Sequence, residues 1–564
     1  MNFKSHETAT KLRGGYYTGQ ELASFLLKWV LQVSPKRILE PSCGDGAFFR
    51  ALKELDWFGI EGITGFEIES REFTKSQNVL RQMSGVDVTL ENRDFLSWAL
   101  QRLDGPLKTG KRPTFDAVVG NPPFIRYQYL DKEIQTSSEQ IFRQLGLRFT
   151  KHTNAWVPFV LAAVEFLRPG GRLAMVVPSE ILHVLHAQSL RTFLTEECSR
   201  ILVIDPEEIW FEGTLQGAVL LLAEKKVSPT VASQGVAITR TRSMAFLRTD
   251  VDIAFLTADY ANGETVRGKW MPALLTHSER ELLRRARFEN QHVHLFGEVA
   301  SVDVGIVTGA NKFFLVSDAV VEEYDLHSWA HPMFGRSEHV PGVIYDAGVH
   351  QENRKAGLPT NFIWFRGSGE ELTPRAQSYI KTGEIQELHT RYKCRTRSPW
   401  YAVPSVYSSS VGMLKRCHNF PRLVLNRVGA FTTDTAYRIK ASTVEPSLLT
   451  GSFVNSLTAV SAELEGRHYG GGVLELVPSE IEKLLIAVPS ERVVDLNALD
   501  VVVRKGVPAL EVLAEQDKRV LKSIGFTEKE NDLLREAWLR LKSRRQRQEV
   551  SSQENITEQN SLAL

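Results

Sequence analysis

Four short strand-like runs in the first 120 residues, Arg37–Glu40, Gly62–Glu67, Val86–Glu91 and Phe115–Gly120, are mostly separated by stretches of helical periodicity. That alternation constrains the chain more than anything else in its sequence, because strands joined through helices build a parallel sheet covered on both faces. A helix is expected first, over 20–33, where Leu22, Phe25, Leu26, Trp29 and Val33 fall on one face. Asn154–Leu167 reads as another helix, ended by Pro169-Gly170-Gly171, and Arg172–Pro178 as a buried strand after that turn. Ile201–Ile204 and Ala218–Leu222 supply two further strands and close a doubly wound, Rossmann-like α/β domain at residues 1–225.

The remainder reads differently. Glu224–Gly235 is polar and turn-rich, as a linker or an exposed hairpin would be. From 245 to 500 the pattern is one of short strands, scattered aromatics and turns, expected to form a second, mixed α/β domain. Helical periodicity returns over 501–542, and 543–564, rich in Gln, Ser, Asn and Glu, reads as a disordered tail. A chain of 564 residues has room for two or three such domains.

Composition narrows the setting. The four cysteines, Cys43, Cys198, Cys394 and Cys417, show neither CxxC pairing nor metal-ligand spacing, so no metal site is expected and a reducing cytoplasm fits. The opening MNFKSHETATKLRGG lacks the apolar core of a signal peptide, and no run reaches the roughly 18 apolar residues of a membrane span. A net charge of +1 conceals a local excess: residues 391–440 carry ten cations, among them Arg391, Lys393, Arg395, Arg397, Lys415 and Arg416, against the single anion Asp434. Such a face suits a polyphosphate partner, the alternative being a solvated basic surface.

The chemistry concentrates at the strand ends. Glu40-Pro41-Ser42-Cys43-Gly44-Asp45-Gly46 lies between a strand and a helix, where glycine lets the backbone approach a ligand. Glu67 ends the second strand, where a doubly wound sheet places an acid on ribose hydroxyls. The glycine spacing departs from GxGxxG, which favours adenosylmethionine over a pyrophosphate cofactor. Asp94 can accept from an adenine amine and Phe95 can cover its ring, or Asp94 caps a helix and Phe95 sits in the core. Asn121-Pro122-Pro123-Phe124 is more specific. A conjugated amine attacks carbon poorly, and acceptors on its two N–H bonds favour a pyramidal nitrogen with its lone pair directed at an electrophilic methyl group. The Asn121 side-chain oxygen and the Pro122 carbonyl can supply both, with proline stiffening the loop and Phe124 stacking on the ring.

In the order Tyr17-Thr18, Glu40 to Gly46, Glu67, Asp94-Phe95 and Asn121-Pro122-Pro123-Phe124, the chain resembles the gamma-class adenine-N6 DNA methyltransferases of restriction–modification systems, the TaqI type. The resemblance implies S-adenosylmethionine as cofactor. Thr18 would help bind its methionine part, Glu67 its ribose, and Asp94 and Phe95 its adenine, with Glu40, Cys43, Gly44 and Gly46 around it. Asn121, Pro122 and Phe124 would hold a flipped target adenine, with Phe211 against its other face. Phe124 keeps the stacking face of the tyrosine common in the family but lacks its hydroxyl. The second half would recognise the target sequence; Gly305–Phe314, Arg397–Tyr401 and Tyr469–Leu474 are similar, more weakly, to segments of larger members. Double-stranded DNA is the expected partner of a monomeric enzyme, with a separate cognate endonuclease. The rival readings are an RNA-adenine or protein-glutamine N-methyltransferase, and a non-catalytic DNA-specificity protein that kept the fold.

Overall fold

A computed structural model of the protein describes residues 18–55, 59–83, 85–104, 113–207, 217–367, 371–469 and 471–546. The chain forms two compact units, divided between His277 and Ser278.

The first unit opens with α1 (Gln20–Leu31), which buries Leu22, Phe25, Leu26 and Trp29 at helical spacing. Alternation then follows: β1 (Arg37–Glu40), α2 (Ala47–Lys53), β2 (Gly62–Phe66), α3 (Ser70–Leu80), β3 (Asp87–Glu91), α4 (Phe95–Asp104) and β4 (Phe115–Gly120). After α5 (Lys132–Gln144) and α6 (Trp156–Phe166) come β5 (Leu167–Pro178), α7 (Gln188–Glu197), β6 (Cys198–Pro206), β7 (Ala218–Lys225) and β8 (Val236–Thr241). They form one eight-stranded sheet in the order β3-β2-β1-β4-β5-β7-β6-β8. Among these strands β7 alone runs against the rest, pairing antiparallel with both β5 and β6. Strands covered on both faces read as apolar runs, and β4 to β7 are nearly continuous ones.

The sheet departs from the sequence reading at three places. Pro169-Gly170-Gly171 lies inside β5, where the register against β4 shifts between Phe115 and Ala117. Gly170 takes φ +73°, and a Cβ on Gly171 would lie 3.0 Å from the Arg168 and Asp116 carbonyls, so the glycines admit a bulge. Glu224–Gly235 is no interdomain linker: it ends β7 and leads into β8, which pairs parallel with β6. The first unit therefore continues past 225, to His277.

The second unit contains a five-stranded sheet ordered Ala300–Val304, Ala436–Ala441, Val411–Leu414, Leu423–Asn426, Ile344–Tyr345, with a smaller four-stranded sheet and a helical region. The segment expected at 501–542 is not a domain apart. It consists of the end of Leu496–Arg504, then Ala509–Ser523 and Glu528–Arg545, and the last two pack on Ser456–Glu465 in the same unit. Gly525 (φ +95°) and the Thr527–Glu530 capping box break the long periodic run in two. Arg535 reaches Asp517 at 3.0 Å, and Arg545 makes a fully buried ion pair with Glu463 at 2.7 Å. Residues 543–545, assigned to the tail by sequence, end this helix, and 547–564 lie outside the described residues.

Candidate cofactor cleft and nucleic-acid surface

In the sheet, β1 lies between β2 and β4, so the connections from β1 and from β4 leave toward opposite edges. A crevice opens at the strand ends of such a switch point. The register Ile38↔Ala117 and Leu39↔Val118 brings the turns after β1 and β4 level. Between them lies a cleft of about 730 Å³, within the size range of small-molecule sites.

Thr18, Glu40, Cys43, Gly44, Glu67, Asp94, Phe95 and Asn121 all line this cleft. Acidic side chains outnumber basic ones on its walls seven to three, which disfavours a pyrophosphate and suits a ligand with cationic and N–H or O–H groups. Glu40 ends β1 only 1 % exposed, and its Oε2 has no hydrogen-bond partner among the described residues. Burial, then the neighbouring Glu67 and Asp45 carboxylates, hold its pKa well above the ordinary carboxylate range. Glu67 Oε1 accepts the Glu69 N–H and Oε2 the Gly44 N–H, each at 2.8 Å, fastening the glycine turn to the end of β2. Burial raises its pKa, and those N–H groups oppose the rise. Gly44 has φ +53° and open space where a Cβ would stand.

Asp94 caps a helix and lines the cleft at once. Its Oδ2 accepts from the Ser97 N–H (2.7 Å) and hydroxyl (2.8 Å), capping α4, while the residue also faces the cleft. Phe95 is 1 % exposed among Phe66, Trp98 and Phe159, a fixed wall more than a mobile cover. Cys43 lines the cleft, yet its thiol donates to the Phe66 carbonyl at 3.2 Å and burial pushes its pKa up, so the sulfur is a tether between strand ends. Gly46 does not line the cleft. It starts α2 at φ +85° with Ser76 where a Cβ would come within 3.1 Å, a role in the turn instead of in ligand contact.

At the second turn Asn121 and Pro123 face the cleft, whereas Pro122 is buried and Phe124 lies partly buried against the core that includes Leu22 and Phe25. Phe124 is therefore not part of the cleft wall. Phe211 lies outside the described residues. Sequence reasoning missed Ser42 and the strap Ile125–Asp131, which also contribute to the wall. Gln135 Nε2 holds that strap by donating to the Tyr127 and Leu130 carbonyls at 3.0 Å each. Tyr129 stands 65 % exposed at its tip, and such an aromatic beside a polar motif was the signal available.

In the second unit the basic run divides. Arg391, Lys393 and Arg395 are exposed around Tyr392, whose ring lies 5.5 Å from the Lys393 ammonium and 5.6 Å from the Arg395 guanidinium. Arg397, expected beside them as a DNA contact, instead donates to the Thr308 (2.8 Å) and Val307 (2.6 Å) carbonyls, fixing the loop Gly305–Asn311. Arg438 is similarly committed to the Ser405 and Val304 carbonyls. Lys415 and Arg416 both pair with Glu475, at 3.4 and 2.6 Å, which reduces the charge they offer.

Two known families match successive stretches of the chain. Residues 3–246 match the N-6 DNA Methylase family, and residues 267–521 match the family described as Type II methyltransferase M.Eco57I, C-terminal domain. Type II methyltransferase M.AccI of Acinetobacter calcoaceticus is 21 % identical over 513 residues, covering 86 % of each chain. Type II methyltransferase M.XamI of Xanthomonas campestris pv. amaranthicola is 22 % identical over 487 residues, covering 84 % of this chain and 85 % of its own. With the cleft, the Asn121 turn and both family matches in place, residues 3–246 form an N-6 DNA methylase domain and the chain is a DNA adenine-N6 methyltransferase of the kind found in restriction–modification systems.

Proposed function

We propose that the cleft holds S-adenosylmethionine beside Asn121 and that the target adenine, flipped from the duplex, receives the methyl group there. The observation that carries this reading is the convergence of Thr18, Glu40, Glu67, Asp94 and Asn121 on one cleft from five separate places in the chain. The site fits the cofactor: Glu40 Oε2 is a buried acceptor without a partner, Gly44 leaves room for a ligand, and the walls are acidic. Bound S-adenosylmethionine supplies a methyl group made electrophilic by its sulfonium. Glu40 would face the cationic methionine end, Glu67 would accept from the ribose hydroxyls, and Asp94 would accept from the adenine amine beside the Phe95 wall. Asn121 and the Pro122 carbonyl would each accept a hydrogen bond from the target amine, drawing its lone pair out of conjugation. The amine sheds a proton as it gains the methyl group, so no strong base is needed. Extruding the base costs a few kcal/mol. Phe124, whose ring lies outside the cofactor cleft, is assigned to the target side, opposite Phe211.

Arg391, Lys393 and Arg395 would neutralise phosphates while neighbouring polar groups read base edges. The enzyme would act as a monomer, alongside a separate endonuclease of the same specificity. Asn121→Ala tests the chemistry. It is expected to bind cofactor normally and to lose about 10²–10³ in single-turnover methylation, the usual cost of one preorganised polar contact. A near-normal rate would remove Asn121 from the mechanism.

A further inference from the structure

The reactive end of the asparagine is an amide, and an amide can be used backwards. With Oδ1 toward the target it accepts from the amine; turned over, it presents N–H to N–H and blocks the reaction. The loop therefore needs something to decide the orientation. Two hydroxyls from outside it are placed to do so. Asn121 Nδ2 donates to Thr18 Oγ1 at 3.2 Å, which leaves Oδ1 as the opposite end of the amide. Thr18 is 8 % exposed, so little water competes for that bond. Ser42 Oγ donates to the Asn121 backbone carbonyl at 3.1 Å, holding the peptide plane that joins Asn121 to Pro122. Its neighbour Pro41 lies where a Cβ on Gly120 would come within 3.3 Å, so the turns after β1 and β4 pack closely enough for the bond to form. Only glycine at 120 permits that approach without displacement.

We propose that Thr18 and Ser42 are positioning residues for the methyl transfer, Thr18 setting which end of the Asn121 amide meets the target amine and Ser42 fixing the carbonyl-bearing loop behind it. The inference rests on the reading of Asn121 as the group that receives the target amine. It gives Thr18 a task distinct from any contact with the methionine part of the cofactor, since its hydroxyl accepts from Asn121 and still has its own proton to donate.

The test uses the full chain, tritiated S-adenosylmethionine and genomic DNA from cells without adenine methylation. Single-turnover rates are measured at saturating cofactor, and cofactor affinity separately by calorimetry. Thr18→Val and Ser42→Ala are each expected to slow the transfer roughly 2- to 13-fold, the worth of one net hydrogen bond, at saturating cofactor. Thr18→Ser, which keeps the acceptor, should lose less than Thr18→Val. In an Asn121→Ala background Thr18→Val should not slow the residual rate further, because the amide it orients is gone, whereas Ser42→Ala should still slow it, because its partner is the main-chain carbonyl at 121 and the Pro122 carbonyl remains. An undiminished rate for either single variant overturns the proposal for that hydroxyl. An equal loss for Thr18→Val with and without Asn121 overturns it for Thr18, since the effect would then be general to the fold, and a Ser42→Ala loss that vanishes with the amide overturns the assignment of Ser42 to the loop carbonyls. A fully active Asn121→Ala parent would overturn the catalytic reading itself, and the positioning proposal with it.

Discussion

Glutamine at position 40 would separate folding from binding. The native state holds the Glu40 proton more tightly than the unfolded chain, because burial and two nearby carboxylates raise its pKa. Stability therefore falls as pH rises from the unfolded value, about 4.3, through the raised native one. Glu40→Gln removes that penalty, so its melting temperature without cofactor should exceed that of the parent at pH 8, with the gap narrowing toward pH 5. Its affinity for S-adenosylmethionine should drop. A pH-independent difference in melting would show that the carboxylate is not the source. Glu67→Ala should act differently. It removes the acceptor for the Gly44 and Glu69 N–H groups as well as the ribose contact, so calorimetry should find weaker cofactor binding together with a lower melting temperature.

Among elements, the loop Gly305–Asn311 and the short helix Tyr392–Arg395 form one assembly. A Cβ on Gly309, at φ +80°, would come within 2.8 Å of the Lys393 Cβ, so glycine lets the two elements pack closely, and Arg397 ties down both carbonyls before it. Replacing Arg391, Lys393 and Arg395 with glutamine should weaken DNA binding and lower its salt slope by about 0.9 for each phosphate no longer neutralised. Arg397→Ala should weaken binding with the slope unchanged, by loosening the loop, and binding isotherms across a salt series distinguish the two outcomes. This division could not be read from charge alone. Sequence counts a guanidinium as a cation whether it faces phosphate or a carbonyl, and only the fold says which. Seven of the eight strands in the first unit's sheet were legible, β4 to β7 because buried strands read as nearly continuous apolar runs, while the partly exposed β8 was missed; Glu40, Glu67 and Asn121 were legible because each ends or directly follows a strand. Ser42, the strap at Ile125–Asp131 and the bulge at Gly170 were not, since each depends on a neighbour distant in sequence.

At the scale of the molecule, each unit has its own buried core, and unfolding should not be a single two-state event. Calorimetry should resolve two transitions, with S-adenosylmethionine raising one. Arg545→Ala should lower the other. Arg545 pairs with the fully buried Glu463 and donates to the His418 and Asn419 carbonyls, so its loss leaves a charge stranded and should cost about 3–5 kcal/mol. If a single transition moves in both experiments, the units unfold together. The buried carboxyl of Glu40 has a further consequence, for the survival of the empty enzyme. At free cofactor a hundred times its dissociation constant, binding adds about 2.7 kcal/mol to the native state. Loss of the cofactor withdraws that support, so a nonspecific protease should digest the empty enzyme faster than the loaded one.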